Sequence, residues 1–117
     1  MKYNTKKIKL AIVGLGYVGL PLAIEFAKKR SVIGFDINNK RINQLKLGID
    51  KNSETKKKEL KNSNRLLFTS NKNDLETANC YIVTVPTPID RSKKPDLKPL
   101  INATTIISKF IKKGDLI

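Results

Sequence analysis

The stretch "AIVGLGYVGLPLA", residues 11–23, constrains this chain more than any other feature. Gly14, Gly16 and Gly19 form Gly-x-Gly-x-x-Gly directly behind the apolar run from Ile8 to Val13, and the residues after them read as a helix. Such a glycine string is weak on its own. Between a strand and a helix it is the setting that holds a dinucleotide pyrophosphate. Gly14 then permits the tight turn, Gly16 lets the pyrophosphate approach the backbone, and Gly19 lets the helix pack close on the strand. The N–H groups around Tyr17 and Val18, at the helix start, face the phosphates. Asp36 ends a second apolar run, "SVIGFD", 22 residues after Gly14, close to the ~20 expected of a ribose-binding acid. A carboxylate there accepts from both adenosine ribose hydroxyls and repels a 2′-phosphate, which favours NAD over NADP. Arg41 pulls the other way, because an arginine nearby can accommodate that phosphate. The rival reading is structural: the glycines make a turn and Asp36 caps the next helix.

The rest of the chain alternates strand and helix. Residues 18 to about 29 place Gly19, Leu20, Ala23, Phe26 and Ala27 on one stripe, with Glu25, Lys28 and Lys29 opposite. "NNKRINQLKLG" gives a second helix with Ile42, Leu45 and Ile49 at helical spacing and Gly48 near its end. Residues 49–64 are polar and read as a surface loop with one short helix. "RLLFTS" is a third strand, "NDLETA" a short helix, and "CYIVTV" a fourth strand rich in β-formers. "PTPIDRSKKP" is loop, with two prolines that leave the Thr87 hydroxyl free to reach a ligand at the carboxyl end of that strand. Leu97 to Lys113 reads as a helix with Leu100, Thr104, Ile107 and Ile111 on one face and Gly114 as its stop. "DLI" starts a fifth strand. The expected fold is α/β: a Rossmann-type, doubly wound parallel sheet, truncated within or near its fifth strand.

Composition limits the chemistry. There is no histidine and one cysteine, Cys80, so the chain has no internal disulfide, no zinc site and no histidine acid/base pair. Cys80 reads as a small core residue in a reducing, cytoplasmic protein. No apolar run approaches the ~20 residues of a membrane span. The formal charge of +14 raises a second function class: a basic module that binds nucleic acid or another polyanion on a dinucleotide fold. The lysines are spread along the chain and no nucleic-acid motif is present, which disfavours it. A third reading is a truncated chain that does not fold stably, because a missing sixth strand exposes a sheet edge.

"IVGLGYVGLPLA", "VIGFDINNKRI", "YIVTVPTPID", "KPDLKPL" and "IKKGDLI" together resemble the N-terminal domain of UDP-sugar 6-dehydrogenases, in order and over nearly the whole chain. "GIDKNSETKKKEL" is most similar to the UDP-N-acetylglucosamine 6-dehydrogenases of Vi-type surface polysaccharide pathways, with the UDP-glucose and UDP-N-acetylmannosamine enzymes next. The resemblance implies NAD as cofactor, with contacts at Gly14, Gly16, Tyr17, Val18, Gly19, Asp36, Arg41 and Thr87. Glu54 aligns with a glutamate of the family's variable loop. The implied reaction takes the sugar C6 from alcohol to carboxylate in two hydride transfers, through a thiohemiacetal and a thioester on a cysteine. Members of the family are several times longer, and their catalytic cysteine, lysine and substrate contacts come after the region matched here. The resemblance therefore implies that residues 1–117 are an incomplete NAD-binding domain with no catalytic residue and no metal ligand. A UDP-sugar partner and homo-oligomerisation through a central segment belong to the longer parent.

Overall fold

In the computed structural model, residues 4–51 and 57–117 are described. Four strands, β1 (Leu10–Val13), β2 (Val32–Phe35), β3 (Leu66–Thr69) and β4 (Cys80–Val83), form one sheet in the order β3-β2-β1-β4. Every pairing is parallel, with Val13 level with Phe35 and Val83. The helices are α1 (Gly19–Ala27), α2 (Asn39–Lys46), α3 (Lys57–Lys61) and α4 (Lys98–Ser108). Parallel neighbours need crossovers, and helices supply them. Leu116 adds one parallel bridge to Cys80. Its carbonyl accepts from the Tyr81 N–H at 2.9 Å. A fifth parallel position therefore opens beside β4, as "DLI" predicts, and the order is that of the doubly wound sheet.

The two-residue period of each strand divides the core between the sheet faces. Leu10 and Ile12 of β1, with Leu66 and Phe68 of β3, pack against Leu20, Ala23 and Ile24 of α1 and Ile42 and Leu45 of α2. Ala11, Val13, Phe35 and Tyr81 point the other way, onto Ala103, Ile106 and Ile107 of α4. Strands buried on both faces show continuous apolar runs rather than alternation, which is what the sequence displays.

The helix faces differ from the expectation in detail. On α1, Ile24 is buried and Phe26 is 37% exposed; the buried set Gly19, Leu20, Ala23, Ile24 and Ala27 is one stripe of a 3.6-residue helix. Helix α2 ends at Lys46, which leaves Ile49 beyond it and exposed. Helix α4 ends at Ser108, five residues before the predicted end, and its inner face is Ala103, Ile106 and Ile107. Thr104 is exposed, and Ile111 lies beyond the helix and is exposed. Gly114, at φ +94°, forms the turn into Leu116 rather than the helix stop.

Tyr81 is the largest fully buried side chain among the described residues. Its hydroxyl donates into the carbonyls of Leu75 (3.1 Å) and Ala78 (3.2 Å). This ties β4 to the short 3₁₀ turn Lys72–Thr77. Tyr81→Phe keeps the ring and removes the donor, so it should cost about 1 kcal/mol and lower Tm by about 4 °C. A thermal melt showing no change would mean that the hydroxyl anchors nothing.

Candidate functional site

The carboxyl ends of β1 and β2 open into a cleft of about 510 Å³, within the usual size of small-molecule sites. It gathers Gly14, Gly16, Asp36 and Arg41, four of the residues singled out from the sequence. The glycine loop connects β1 to α1, and each glycine meets a different constraint. Gly14 sits at φ +105°, where L side chains are strained, and a Cβ there would lie 2.9 Å from the Thr84 and Val85 backbone. A Cβ on Gly19 would collide with the Gly14 carbonyl and the Thr84 hydroxyl, so α1 can approach β1 only without one. A Cβ on Gly16 would meet nothing within 4 Å. The space over Gly16 is open to a ligand.

The loop is held by its carbonyls. The Thr84 hydroxyl donates to Gly14 O at 2.7 Å. Arg41 donates to Leu15 O twice, from Nε at 3.0 Å and Nη2 at 2.8 Å. The Leu20 N–H closes on Gly16 O at 3.2 Å. The first loop amides are also used: Gly14 N–H donates to Phe35 O at 2.8 Å and Leu15 N–H to Asp36 Oδ2 at 2.9 Å. The N–H groups of Gly16, Tyr17 and Val18 have no acceptor among the described residues. Helix α1 has no side-chain cap on them either. Unpaired amides at a helix start, with the positive end of its dipole behind them, suit an anion.

Asp36, just after β2, lines the same cleft as Gly16. Its Oδ1 accepts from the Asn38 N–H at 2.9 Å, and its Oδ2 from Leu15. Each oxygen keeps a lone pair for a further donor such as a ribose hydroxyl. The helix after Asp36 is capped by Asn38, whose side chain accepts from the Arg41 N–H at 3.1 Å; the purely structural capping role considered for Asp36 falls to Asn38. Arg41 is 11% exposed and pairs through Nη1 with the fully buried carboxylate of Asp50 at 2.7 Å.

Tyr17 and Val18 are 64% and 66% exposed on the loop's outer rim. Thr87 is exposed and does not line the cleft; Val85 and Pro86 do. Glu54 lies outside the described residues. Cys80 is partly buried against the α1 side of the sheet. Burial pushes its thiol up from the ordinary value, with Arg30 opposing, which makes it a poor nucleophile. Sequence reasoning passed over Thr84 and Asp50. The only signal for Thr84 was its place where β4 runs beside β1; Asp50 sits in a polar stretch that gives none. No helix among the described residues is long and apolar enough to cross a membrane.

Residues 8–117 match the UDP-glucose/GDP-mannose dehydrogenase family, NAD binding domain. The chain is 57% identical over 112 residues to the UDP-N-acetyl-D-glucosamine 6-dehydrogenase of Pseudomonas aeruginosa, covering 96% of this chain and 26% of that protein. It is 50% identical over 115 residues to the Salmonella typhi protein of the same name, covering 98% and 27%. The solved structure of the UDP-D-ManNAc dehydrogenase from Pyrococcus horikoshii superposes with a TM-score of 0.80 at 32% identity, over 93% of this chain and 27% of that one. The chain spans about a quarter of the length of the curated relatives it matches. The open space over Gly16, the free amides and the spare lone pairs of Asp36 fit NAD.

The two inner glycines should fail in different ways. Gly19→Ala should destabilise the fold by about 2–3 kcal/mol or prevent folding, because the clash is with backbone. Gly16→Ala should leave Tm within the effect of a surface change, about 0.5 kcal/mol, yet abolish any rise in Tm with NAD. Melts of both variants with and without NAD check this; equal loss of stability in the two would refute it.

Proposed function

The chain belongs to the UDP-glucose/GDP-mannose dehydrogenase family as an NAD-binding domain, and we infer on that premise that residues 1–117 supply the cofactor site of a UDP-sugar 6-dehydrogenase. The observation that carries the reading is the free amide array of Gly16, Tyr17 and Val18, which directly follows the Leu15 N–H held by the Asp36 carboxylate. The pyrophosphate is assigned to the amides and the adenosine ribose to Asp36. When bound, NAD supplies a hydride acceptor, and converting an alcohol to a carboxylate requires two such transfers and one water. The domain's part is to bind and orient. Thr84 and Arg41 hold the loop carbonyls, and Leu15 keeps the loop seated. Tyr17, Val18 and Thr87 stand at the exposed rim, where a bound cofactor could reach them.

UDP-N-acetylglucosamine is the substrate that the two relatives' names support; UDP-glucose and UDP-N-acetylmannosamine are the alternatives. The chemistry on the sugar, and any pairing of subunits, is assigned to segments that those relatives carry beyond the matched quarter.

NAD should raise the chain's Tm more than NADP does, since a ligand that binds only the native state stabilises it, by about 2.7 kcal/mol at a hundredfold excess over Kd. Asp36→Ala should reduce the NAD effect and narrow the gap. A folded chain that ignores NAD would sink the reading, and a gap unchanged in Asp36→Ala would sink the ribose assignment. Joined to the remaining three quarters of the Pseudomonas relative, the domain should support NADH formation from UDP-N-acetylglucosamine.

A further inference from the structure

We propose that Asp50 is a specificity-determining residue: by pairing with Arg41 it withholds from the cleft the cation that a 2′-phosphate would need, and so excludes NADP. The proposal rests on the NAD reading of the cleft.

Arg41, in the first turn of α2, lines the same cleft as Asp36, where an arginine would be placed to receive a 2′-phosphate. Its guanidinium already serves other groups. Three of its N–H donors are engaged, two on Leu15 O and one on Asp50. Both sides of the pair are sheltered, at 11% and 0% exposure. In that setting the pairing fixes the guanidinium plane and balances its charge, and an arginine already matched by a carboxylate offers a phosphate little attraction. Asp36 adds a second negative charge beside it, and its own position is fixed by the N–H groups of Leu15 and Asn38. Lys40 and Lys51 also line the cleft. Both are exposed, and solvated ammonium groups give weak, salt-screened attraction. Discrimination thus has two parts: Asp36 repels the phosphate, and Asp50 occupies the arginine that would otherwise receive it.

The test is calorimetric measurement of Kd for NAD and for NADP on the natural chain and on variants, at fixed low salt. The natural chain should bind NAD more tightly. Asp50→Asn keeps the shape and removes the charge, and should improve NADP relative to NAD by about tenfold, the effect of one recovered charge-assisted contact. In the double variant Arg41→Gln with Asp50→Asn that gain should vanish, which a general loosening of the loop would not produce. An unchanged NADP-to-NAD ratio in Asp50→Asn, or a gain that survives in the double variant, overturns the proposal. If Asp50→Asn alone shows no cooperative melt, the double variant, in which both members of the Arg41–Asp50 pair are neutral, decides: its ratio should equal that of the natural chain, and a selective loss of NADP affinity would show that Arg41 already serves the phosphate. A natural chain that binds neither dinucleotide removes the cofactor reading and this proposal together. NAD binding with an unmoved ratio removes this proposal alone.

Discussion

Leu15 is the point on which the site depends. Its side chain is fully buried in the core under α1. Its N–H is held by Asp36 and its carbonyl by Arg41. One residue of the glycine loop is thereby fixed by the core and by the turn after β2. The peptide units on either side of Leu15 cannot rotate without breaking a charge-assisted hydrogen bond, and such bonds contribute about 1.5–3 kcal/mol each. The free amides that follow inherit their direction from it. Gly34 belongs to the same arrangement: a Cβ there would come within 3.3 Å of both Leu15 methyls. The absence of a side chain in the middle of β2 gives Leu15 its place.

The arrangement makes recognition groups serve as structural groups. Asp36, the acid proposed for the ribose, also orders the loop proposed for the pyrophosphate, through the Leu15 N–H. On that proposal its removal should affect both ends of the adenosine diphosphate. Arg41 carries charge into the cleft wall, yet that charge is used on a backbone carbonyl and a buried carboxylate. A cleft walled in this way is stiff before any ligand arrives. Preorganisation of that kind strengthens binding by reducing what must be ordered on association.

The strands and the glycine loop were legible in the sequence because their signals are local. A strand buried on both faces is a short apolar run, and "LAIV", "VIGF" and "CYIV" have no other simple reading. Gly14, Gly16 and Asp36 are tied by spacing, and the fold brings them to one cleft. The helix faces were less legible. In α4, isoleucine lies on both sides, with Ile101 exposed and Ile106 and Ile107 buried, so periodicity alone did not select Ala103 and Ile106 over Leu100 and Thr104. A small residue such as Ala103 marks close approach to the sheet, which a hydropathy pattern does not record. Arg41 was visible as a residue type, but its partners were not. Leu15 O lies 26 positions away and Asp50 nine, and no spacing rule connects an arginine to a backbone carbonyl. Thr84 was hidden for the same reason: its hydroxyl acts 70 positions back on Gly14.

The cleft's ionisable groups show how work is divided within such a protein. Asp36, Lys40, Arg41 and Lys51 line it. Asp36 is fixed by two amides and Arg41 by a carboxylate and a carbonyl, while both lysines are exposed. Cys80 packs against the α1 side of the sheet with its thiol pushed up by burial. What the described residues offer is fixed geometry, unpaired amides and an excess of positive charge that draws anionic ligands toward the surface. On the proposed function, a domain built this way serves the oxidation by placing the hydride acceptor. Its demands fall on backbone conformation and loop rigidity, which is why glycines, a threonine hydroxyl and a buried ion pair carry the site rather than reactive side chains.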